Sequence, residues 1–275
     1  MTSDVIDQRR LYQLYQKTPT VAEYAELTQM EEAWILPIAE EYERTAPAFG
    51  STSDIMKGMR EHLAQAVKKS NEHYLHLALE ATREQFEYVV REFAVDGLTE
   101  SLSLLASVPK LPYRSGMAVF RILIDELGCG NESMSHAQLY RDLLIELGMP
   151  IDVESYLDSS QDSFAYVNYL HWLANRAQPS EYFLGGYAYF ETSVPYGFRS
   201  FAHAAERLGV KNHAYYTEHM YIDSYHSRSM RAAIREKELE TGIDLAKVWA
   251  GVQMTGAIVS TATEQAIIRS RKLAG

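Results

Sequence analysis

The stretch EHMYIDSYHSRSM, residues 218–230, places two histidines and an aspartate at intervals of four and three positions. An α-helix turns by about 100° per residue, so His219, Asp223 and His226 project along one side of a single helix. Imidazole and carboxylate groups on a helix face are typical metal ligands. The stretch alone fits two interpretations equally well: a metal-binding face, or a solvated face with a hydrogen bond between a histidine and the aspartate.

Helical periodicity extends over almost all of the 275 residues, and strand signals are nearly absent. Prolines and glycines cluster at breaks such as PKLP (109–112), GCGN (128–131) and LGVKN (208–212), which leave room for roughly nine to eleven helices. The pattern predicts an all-α fold. We expect a single compact domain, with a helical annex over residues 1–95 packed on a core over residues 96–275.

The composition excludes several classes of protein. The net charge of −11 is unsuited to a nucleic-acid partner, whose phosphates require basic surface. A single cysteine, Cys129, and an N-terminus unlike a signal peptide indicate a cytoplasmic protein. The most apolar stretch, residues 248–262, is shorter than the ~20 residues of a membrane span, so we expect a buried helix and no membrane partner.

Two adjacent segments place ionisable residues among apolar neighbours. Glu126 lies on an apolar face of MAVFRILIDELG (117–128), while Arg121 and Asp125 form a separate polar stripe. His136 groups with the leucines of the next helix, SHAQLYRDLLIELG (135–148). A buried carboxylate is costly unless it is paired or binds a cation. The alternatives are a Glu126 that bends into water at a fraying helix end and a His136 that is an ordinary core histidine.

The segment EYFLGGYAYFETSVPYGFRSF, residues 181–201, contains a third carboxylate with apolar neighbours, Glu191. The ring of Pro195 clashes with the carbonyl four residues earlier, which belongs to Glu191, and this predicts a kink or bulge there. The alternative is a helix that ends near Thr192 and exposes Glu191 in its last turn.

A shared metal site explains all of these residues together: Glu126, His136, Glu191, His219, Asp223 and His226. Nitrogen and oxygen ligands without cysteine favour iron or manganese in a helical bundle. Structural zinc is less favoured, because it usually has four ligands and often thiolates.

The order of these residues resembles the heme-oxygenase-like di-iron oxidases. Glu126 is followed ten residues later by His136, then by Glu191, and then by the His-x3-Asp-x2-His spacing of residues 219–226. The text MAVFRILIDELGCGNESMSHAQLYRDLL is similar to the first motif block of that family. The resemblance covers roughly residues 95–270 and implies a seven-helix, heme-oxygenase-like bundle, here with extra N-terminal helices.

The resemblance also implies the metal centre. The six residues would bind two Fe(II) ions, with Glu191 as the bridging carboxylate and O2 as co-substrate. N-oxygenating members use an extra carboxylate on the preceding helix, and Glu100 in DGLTESLSLL lies where that candidate seventh ligand is expected. The alternative for Glu100 is a helix-start glutamate favoured by the helix dipole.

The pattern is most similar to the N-oxygenase members, which predicts oxygenation of the amine nitrogen of a small molecule, an amine or amino acid, in natural-product metabolism. One alternative is a di-iron oxidase acting on carbon, through desaturation, decarboxylation or C–C cleavage. Another is a non-catalytic helical interaction protein. The sequence contains no flavin or Fe–S motif, so the electrons would come from an external donor. The final helix, about residues 243–272, offers a surface for a homodimer.

Overall fold

The computed structural model describes residues 6–99 and 101–273, apart from the side chains of Asp223 and Ser224. This part of the chain contains helices and turns but no strand, as the sequence predicts. Short 3₁₀ turns connect some of the α-helices. The α-helices are α1 Gln8–Tyr15, α2 Val21–Arg44, α3 Thr52–Leu79, α4 Arg83–Glu92, α5 Ala94–Thr99, α6 Tyr113–Glu126, α7 His136–Glu146, α8 Gln161–Asn175, α9 Glu181–Arg207, α10 Ala214–Thr241 and α11 Leu245–Ser270.

Local sequence signals fix several helix starts. Thr20 caps α2 by accepting from the backbone N–H of Glu23, whose side chain accepts in return from the Thr20 N–H. Thr82 and Gln85 form the same reciprocal capping box at α4. Asp244 accepts from two backbone N–H groups at the start of α11. Each cap satisfies donors that the first helical turn otherwise leaves without a partner, which contributes about 1 kcal/mol.

Helix α9 is the central element, since it packs against α3, α10 and α11. Glycines allow α9 and α11 to approach at backbone distance. A Cβ atom added to Gly185 would lie 1.8 Å from the Val248 carbonyl oxygen, and one on Gly251 would lie 2.2 Å from the Tyr182 carbonyl oxygen. Only glycine fits at these two positions of the crossing, because it has no side chain.

Helix α11 carries the most apolar stretch of the sequence. Its residues Val248, Ala250, Val252 and Met254 are fully buried, and they join the core that α9 lines from the other side. In the ranges that the structure describes, no helix combines the length and hydropathy that a membrane crossing requires.

The N-terminal helices share this core. Ile35 of α2 and Ile55 and Leu63 of α3 belong to the same apolar cluster as Leu184 and Val248. The first 95 residues therefore contribute directly to the packing around α9 and α11.

An ion pair between a buried carboxylate and a partly buried arginine joins α2 to the end of α8. Arg176 donates from Nε and Nη2 to the two carboxylate oxygens of Glu31, both at 2.8 Å, and the Tyr15 hydroxyl donates to the same carboxylate. Burial, together with the neighbouring Glu31, raises the pKa of Tyr15. The pair brings residues that are 145 positions apart into contact.

Replacing Arg176 by glutamine should lower the free energy of unfolding by about 3 kcal/mol, because Glu31 would keep a buried charge without its partner. Urea unfolding followed by circular dichroism measures the loss. The matched control is Arg44→Gln, which breaks an exposed pair with Glu41 and should cost less than about 1 kcal/mol. Equal losses in both variants would show that the buried pair has no special role.

Candidate metal centre

Four helices bring five of the expected ligands to one buried place. Glu126 is the last residue of α6 and His136 is the first residue of α7, while Glu191 lies in the middle of α9. His219 and His226 lie two turns apart on α10. All five side chains are at most 5% exposed.

The first triad consists of Glu126, His136 and His219, which offer ligand atoms within 4.8 Å of one another. His136 Nδ1 lies 2.5 Å from Glu126 Oε2, and the two imidazole rings are 4.0 Å apart, centroid to centroid. The carbonyl oxygen of Tyr215 lies 2.6 Å from His219 Nδ1. This contact orients the ring, so Nε2 would be the nitrogen that binds a metal.

The second triad consists of Glu126, Glu191 and His226, again within 4.8 Å. His226 Nδ1 lies 3.2 Å from Glu126 Oε1 and 3.1 Å from Glu191 Oε2. Glu126 therefore belongs to both triads and presents one carboxylate oxygen to each. Two overlapping triads that share a carboxylate are the arrangement expected of a site for two neighbouring cations.

The histidines and carboxylates of the cluster shift one another's pKa values. Burial opposes the ionisation of Glu126, yet His136, His226 and His219 outweigh it and hold the pKa of that carboxyl well below its usual range. Burial would also lower the pKa of His226, but the carboxylates of Glu126 and Glu191 raise it to about 11. In the metal-free chain the imidazolium of His226 thus supplies positive charge between two buried carboxylates.

The donor set fits iron. His136 Nδ1 is buried and touches Glu126, but the contact lacks the geometry of a hydrogen bond. A buried imidazole nitrogen without a hydrogen-bond partner, beside a carboxylate, is suited to bind a cation that the carboxylate also contacts. Histidine nitrogens and carboxylate oxygens, with no cysteine among the described members, are ligands that iron accepts.

The structure decides between the alternatives left by the sequence for Glu126 and Glu191. Glu126 does not fray into water, since it is 5% exposed. Helix α9 does not end near Thr192 but continues through Pro195 to Arg207, so Glu191 is enclosed. The Thr192 and Ser193 hydroxyls donate back to backbone carbonyls within this part of the helix. Glu100 and the side chain of Asp223 lie outside the described residues.

The sequence pattern does not indicate one carboxylate beside the centre. Asp125 belongs to a partly exposed polar stripe with Arg121, and its Oδ2 also lies 3.5 Å from His226 Nε2, while its Oδ1 accepts from Cys129 Sγ. Ser101 was also missed, and its hydroxyl donates to Glu126 Oε2 at 3.3 Å. Adjacency to Glu126 in the sequence was a signal for Asp125, whereas nothing in the periodicity indicates Ser101.

A cavity of about 310 Å³ lies next to the first triad. Its wall includes Phe198 and Tyr215, whose rings lie 4.9 and 4.6 Å from the His219 ring, centroid to centroid. Phe190 and Ser193, which flank Glu191 in sequence, also line it. The volume is at the small end of the range for small-molecule sites.

An all-α fold around a buried carboxylate–histidine cluster defines a helical metalloprotein. Residues 87–258 match the family described as iron-containing redox enzymes, and the chain belongs to this family. The match confirms the family resemblance and the fold class that the sequence suggested.

Among curated proteins, the chain is similar to a nitrosourea synthase of Streptomyces achromogenes subsp. streptozoticus, with 27% identity over 146 residues. The aligned part is 52% of this chain and 31% of the relative, so the chain matches less than a third of the length of that protein.

The metal-free protein should lose stability as the pH rises. The pKa of His226 is raised from about 6.5 in an unfolded chain to about 11, so its stabilising effect is complete below about pH 6.5 and is lost as the pH passes through 11. Between these limits the free energy of unfolding should fall by up to about 1.4 kcal/mol per pH unit from this group. Urea unfolding at a series of pH values measures the slope.

The variant His226→Gln serves as the control for that slope, because other groups also titrate in the alkaline range. The difference between the two slopes isolates His226. Binding of Fe(II) requires the neutral imidazole and should therefore release a proton, which calorimetry in buffers of different ionisation enthalpy detects. Identical slopes in the two proteins would contradict the assigned charge state.

Proposed function

We propose that the protein is a non-haem di-iron oxygenase that uses O2 to oxygenate the amine nitrogen of a small molecule. The observation that carries the proposal is the pair of buried triads that share Glu126. Membership of the iron-containing redox enzymes supports iron as the metal. Similarity to a nitrosourea synthase favours nitrogen over carbon as the atom that reacts.

In this proposal Glu126, His136 and His219 hold one Fe(II), and Glu126 and Glu191 hold the second with His226. The resemblance adds Asp223 and Glu100 to the ligand set. It also implies Glu191 as the bridging carboxylate, whereas among the described residues Glu126 is the member common to both triads. Two ferrous ions held there would supply the electrons for the reduction of O2, and an external donor would have to restore them between turnovers.

The residues around the centre exclude water from it and hold one of its histidines in place. Burial of the five ligands excludes bulk water, which strengthens every electrostatic interaction inside the site. Phe198 and Tyr215 pack against His219 and hold its ring in place between α9 and α10. The cavity behind them offers a substrate a position close to the first triad.

A direct test loads the 275-residue chain with Fe(II) without oxygen and then mixes it with ¹⁸O2 in the presence of amines, amino acids or fatty acids. Mass spectrometry should show ¹⁸O bound to nitrogen in products of an amine. Alkenes or shortened acids without any N–O product would instead support the second candidate, an oxidase acting on carbon, which the largely apolar walls of the cavity also suit. A chain that takes up no iron would contradict both.

A further inference from the structure

Helix α10 presents arginines on the side that faces away from the core. Arg228, Arg231 and Arg235 follow one another at intervals of three and four positions, so they project along one face of the helix, and all three are exposed. The candidate ligand His226 lies on the opposite, buried side. Residues 225–235 contain these three arginines and no aspartate or glutamate, although the chain carries a net charge of −11.

Helix α6 extends this basic surface with Arg121. Arg114, near the start of α6, lies 3.8 Å from Glu236, near the end of α10. Asp125, near the end of α6, lies beside His226. Arg121 stands seven residues after Arg114 and four before Asp125, so it projects on the same side of α6, next to α10, and it is exposed. We call this surface the arginine face; it consists of Arg121, Arg228, Arg231 and Arg235.

Exposed aromatic side chains lie beside these arginines. Tyr221 and Tyr225 of α10 are 69% and 51% exposed, and the Arg228 guanidinium lies 4.6 Å from the centroid of the Tyr225 ring. Phe120, the sequence neighbour of Arg121, is also exposed. Tyrosine, phenylalanine and arginine are enriched where proteins bind one another. The composition of this surface is therefore that of a protein interface.

The arginine face lies directly outside the candidate metal centre. His226 is buried, and its Nε2 lies 3.5 Å from Oδ2 of Asp125. Asp125 is partly exposed, and it follows Arg121 by one helical turn. A single side chain, that of Asp125, thus connects the solvent at the arginine face with a candidate iron ligand.

The cavity of about 310 Å³ involves a different part of the molecule. Among its described lining residues, those from α10 are Tyr215 and Tyr216, which are buried in the first turn of that helix. The four residues of the arginine face are not among the described lining residues. A protein bound to the arginine face would therefore leave the lining of the cavity available to a small molecule.

We propose that the arginine face binds a small, acidic, one-electron carrier protein of the ferredoxin type. Charge complementarity carries the choice of partner: the arginine face attracts an acidic surface, while the remainder of this acidic chain repels it and so directs the carrier to this face. An anionic membrane or a nucleic acid is larger than the face and would also meet the acidic surface around it.

The role of the carrier rests on the proposed function, which requires an external electron donor. Two reduced carriers would bind in turn, and each would lose one electron and leave oxidised. The two electrons together would return a ferric pair to the ferrous state, and no bond to the carrier would form or break.

The first test measures binding between the metal-free, 275-residue chain and an oxidised, acidic plant-type [2Fe–2S] ferredoxin by isothermal titration calorimetry. We expect a weak complex, as is typical of electron-transfer partners. Its affinity should fall by about 10-fold or more between about 20 and 200 mM salt, because salt screens exposed charges. Absence of binding at the lower salt concentration would overturn the proposal.

Charge reversal locates the binding surface. Arg231→Glu/Arg235→Glu places acidic groups against the acidic carrier and should weaken ferredoxin binding on the order of 10- to 100-fold. The matched control, Arg60→Glu/Lys68→Glu, makes the same change of net charge at exposed positions of α3 and should bind ferredoxin within about threefold of the wild-type protein. Equal affinities in the two variants would refute the assignment of this face. Circular dichroism checks that both variants fold.

Electron transfer provides a readout that damage to the fold would not reproduce. The iron-loaded, oxidised protein is mixed without oxygen with reduced ferredoxin, and stopped-flow absorbance follows the oxidation of the ferredoxin. In Arg231→Glu/Arg235→Glu, the ferredoxin concentration that gives half the maximal rate should rise by about 10-fold or more. Its iron content and its reduction by dithionite should match those of the wild-type protein. A variant that dithionite also reduces more slowly would contradict a role confined to docking.

The possible outcomes separate this inference from the proposed function. Ferredoxin that binds the arginine face of a chain that oxygenates no amine would defeat the proposed function and leave the docking surface standing. Ferredoxin that supports amine oxygenation equally well in the two charge-reversed proteins would defeat the inference alone. Arginine-dependent binding to phosphatidylserine vesicles without binding of ferredoxin would assign the face to a membrane and overturn the proposal.

Discussion

Glu126→Gln should abolish the metal centre. The variant keeps the size of the side chain but removes the one carboxylate that both triads share. Loss of a residue that merely supports a ligand commonly costs 10- to 100-fold in metal affinity, so we expect iron affinity to fall by at least about 100-fold. Metal analysis after anaerobic reconstitution should find almost no iron, and oxygen consumption should fall in parallel.

Variants that change a residue of only one triad should lose less iron than Glu126→Gln. His136→Ala and Glu191→Gln should each weaken one iron position and leave the other partly occupied, because each of these residues belongs to one triad. The matched control is Glu132→Gln, six residues after Glu126 in the exposed loop between α6 and α7. It should bind iron like the wild-type protein. Full iron content in Glu126→Gln would contradict the shared-carboxylate arrangement.

The second large effect concerns stability, at the crossing of α9 and α11. In Gly185→Ala the new methyl group would start 1.8 Å from the Val248 carbonyl oxygen, and a backbone atom cannot move aside as a side chain can. Overpacking of a core usually costs 1–3 kcal/mol, and we expect about 3 kcal/mol or more here, since two helices must separate. Urea unfolding and the thermal midpoint both report this loss.

Gly197→Ala provides the control on the same helix. Its Cβ atom would meet Tyr74 at 3.6 Å, an ordinary contact. Because alanine favours a helix over glycine by about 1 kcal/mol, this variant should be neutral or slightly more stable than the wild-type protein. A Gly185→Ala protein of unchanged stability would show that α9 and α11 tolerate a wider spacing.

Much of the candidate centre could be predicted from the sequence because its ligands interrupt apolar helix faces. Glu126, Glu191 and His136 each stand where periodicity calls for an apolar side chain, and the structure brings these residues together. The capping boxes that begin at Thr20 and Thr82 are local signals of the same kind. Signals of this kind depend on neighbours within about one helical turn.

Contacts between helices that are far apart in the sequence could not be predicted in this way. Periodicity shows which side of α6 is polar, but the side of α10 that faces it depends on how the helices cross. The polar stripe places Asp125 at the surface, and its side chain is 37% exposed, but periodicity does not show that its carboxylate also lies beside His226.

Some of the helices that line the cavity carry none of the candidate metal ligands. Helices α3 and α11 contribute lining residues such as Val67, Leu75 and Val259, yet none of the five described ligands belongs to them. Mutations in α3 can therefore reshape the cavity without disturbing the residues proposed to hold iron. We expect descendants of this sequence to acquire new substrates through changes on that helix, while the turns of α6, α7, α9 and α10 that carry the five buried residues change slowly.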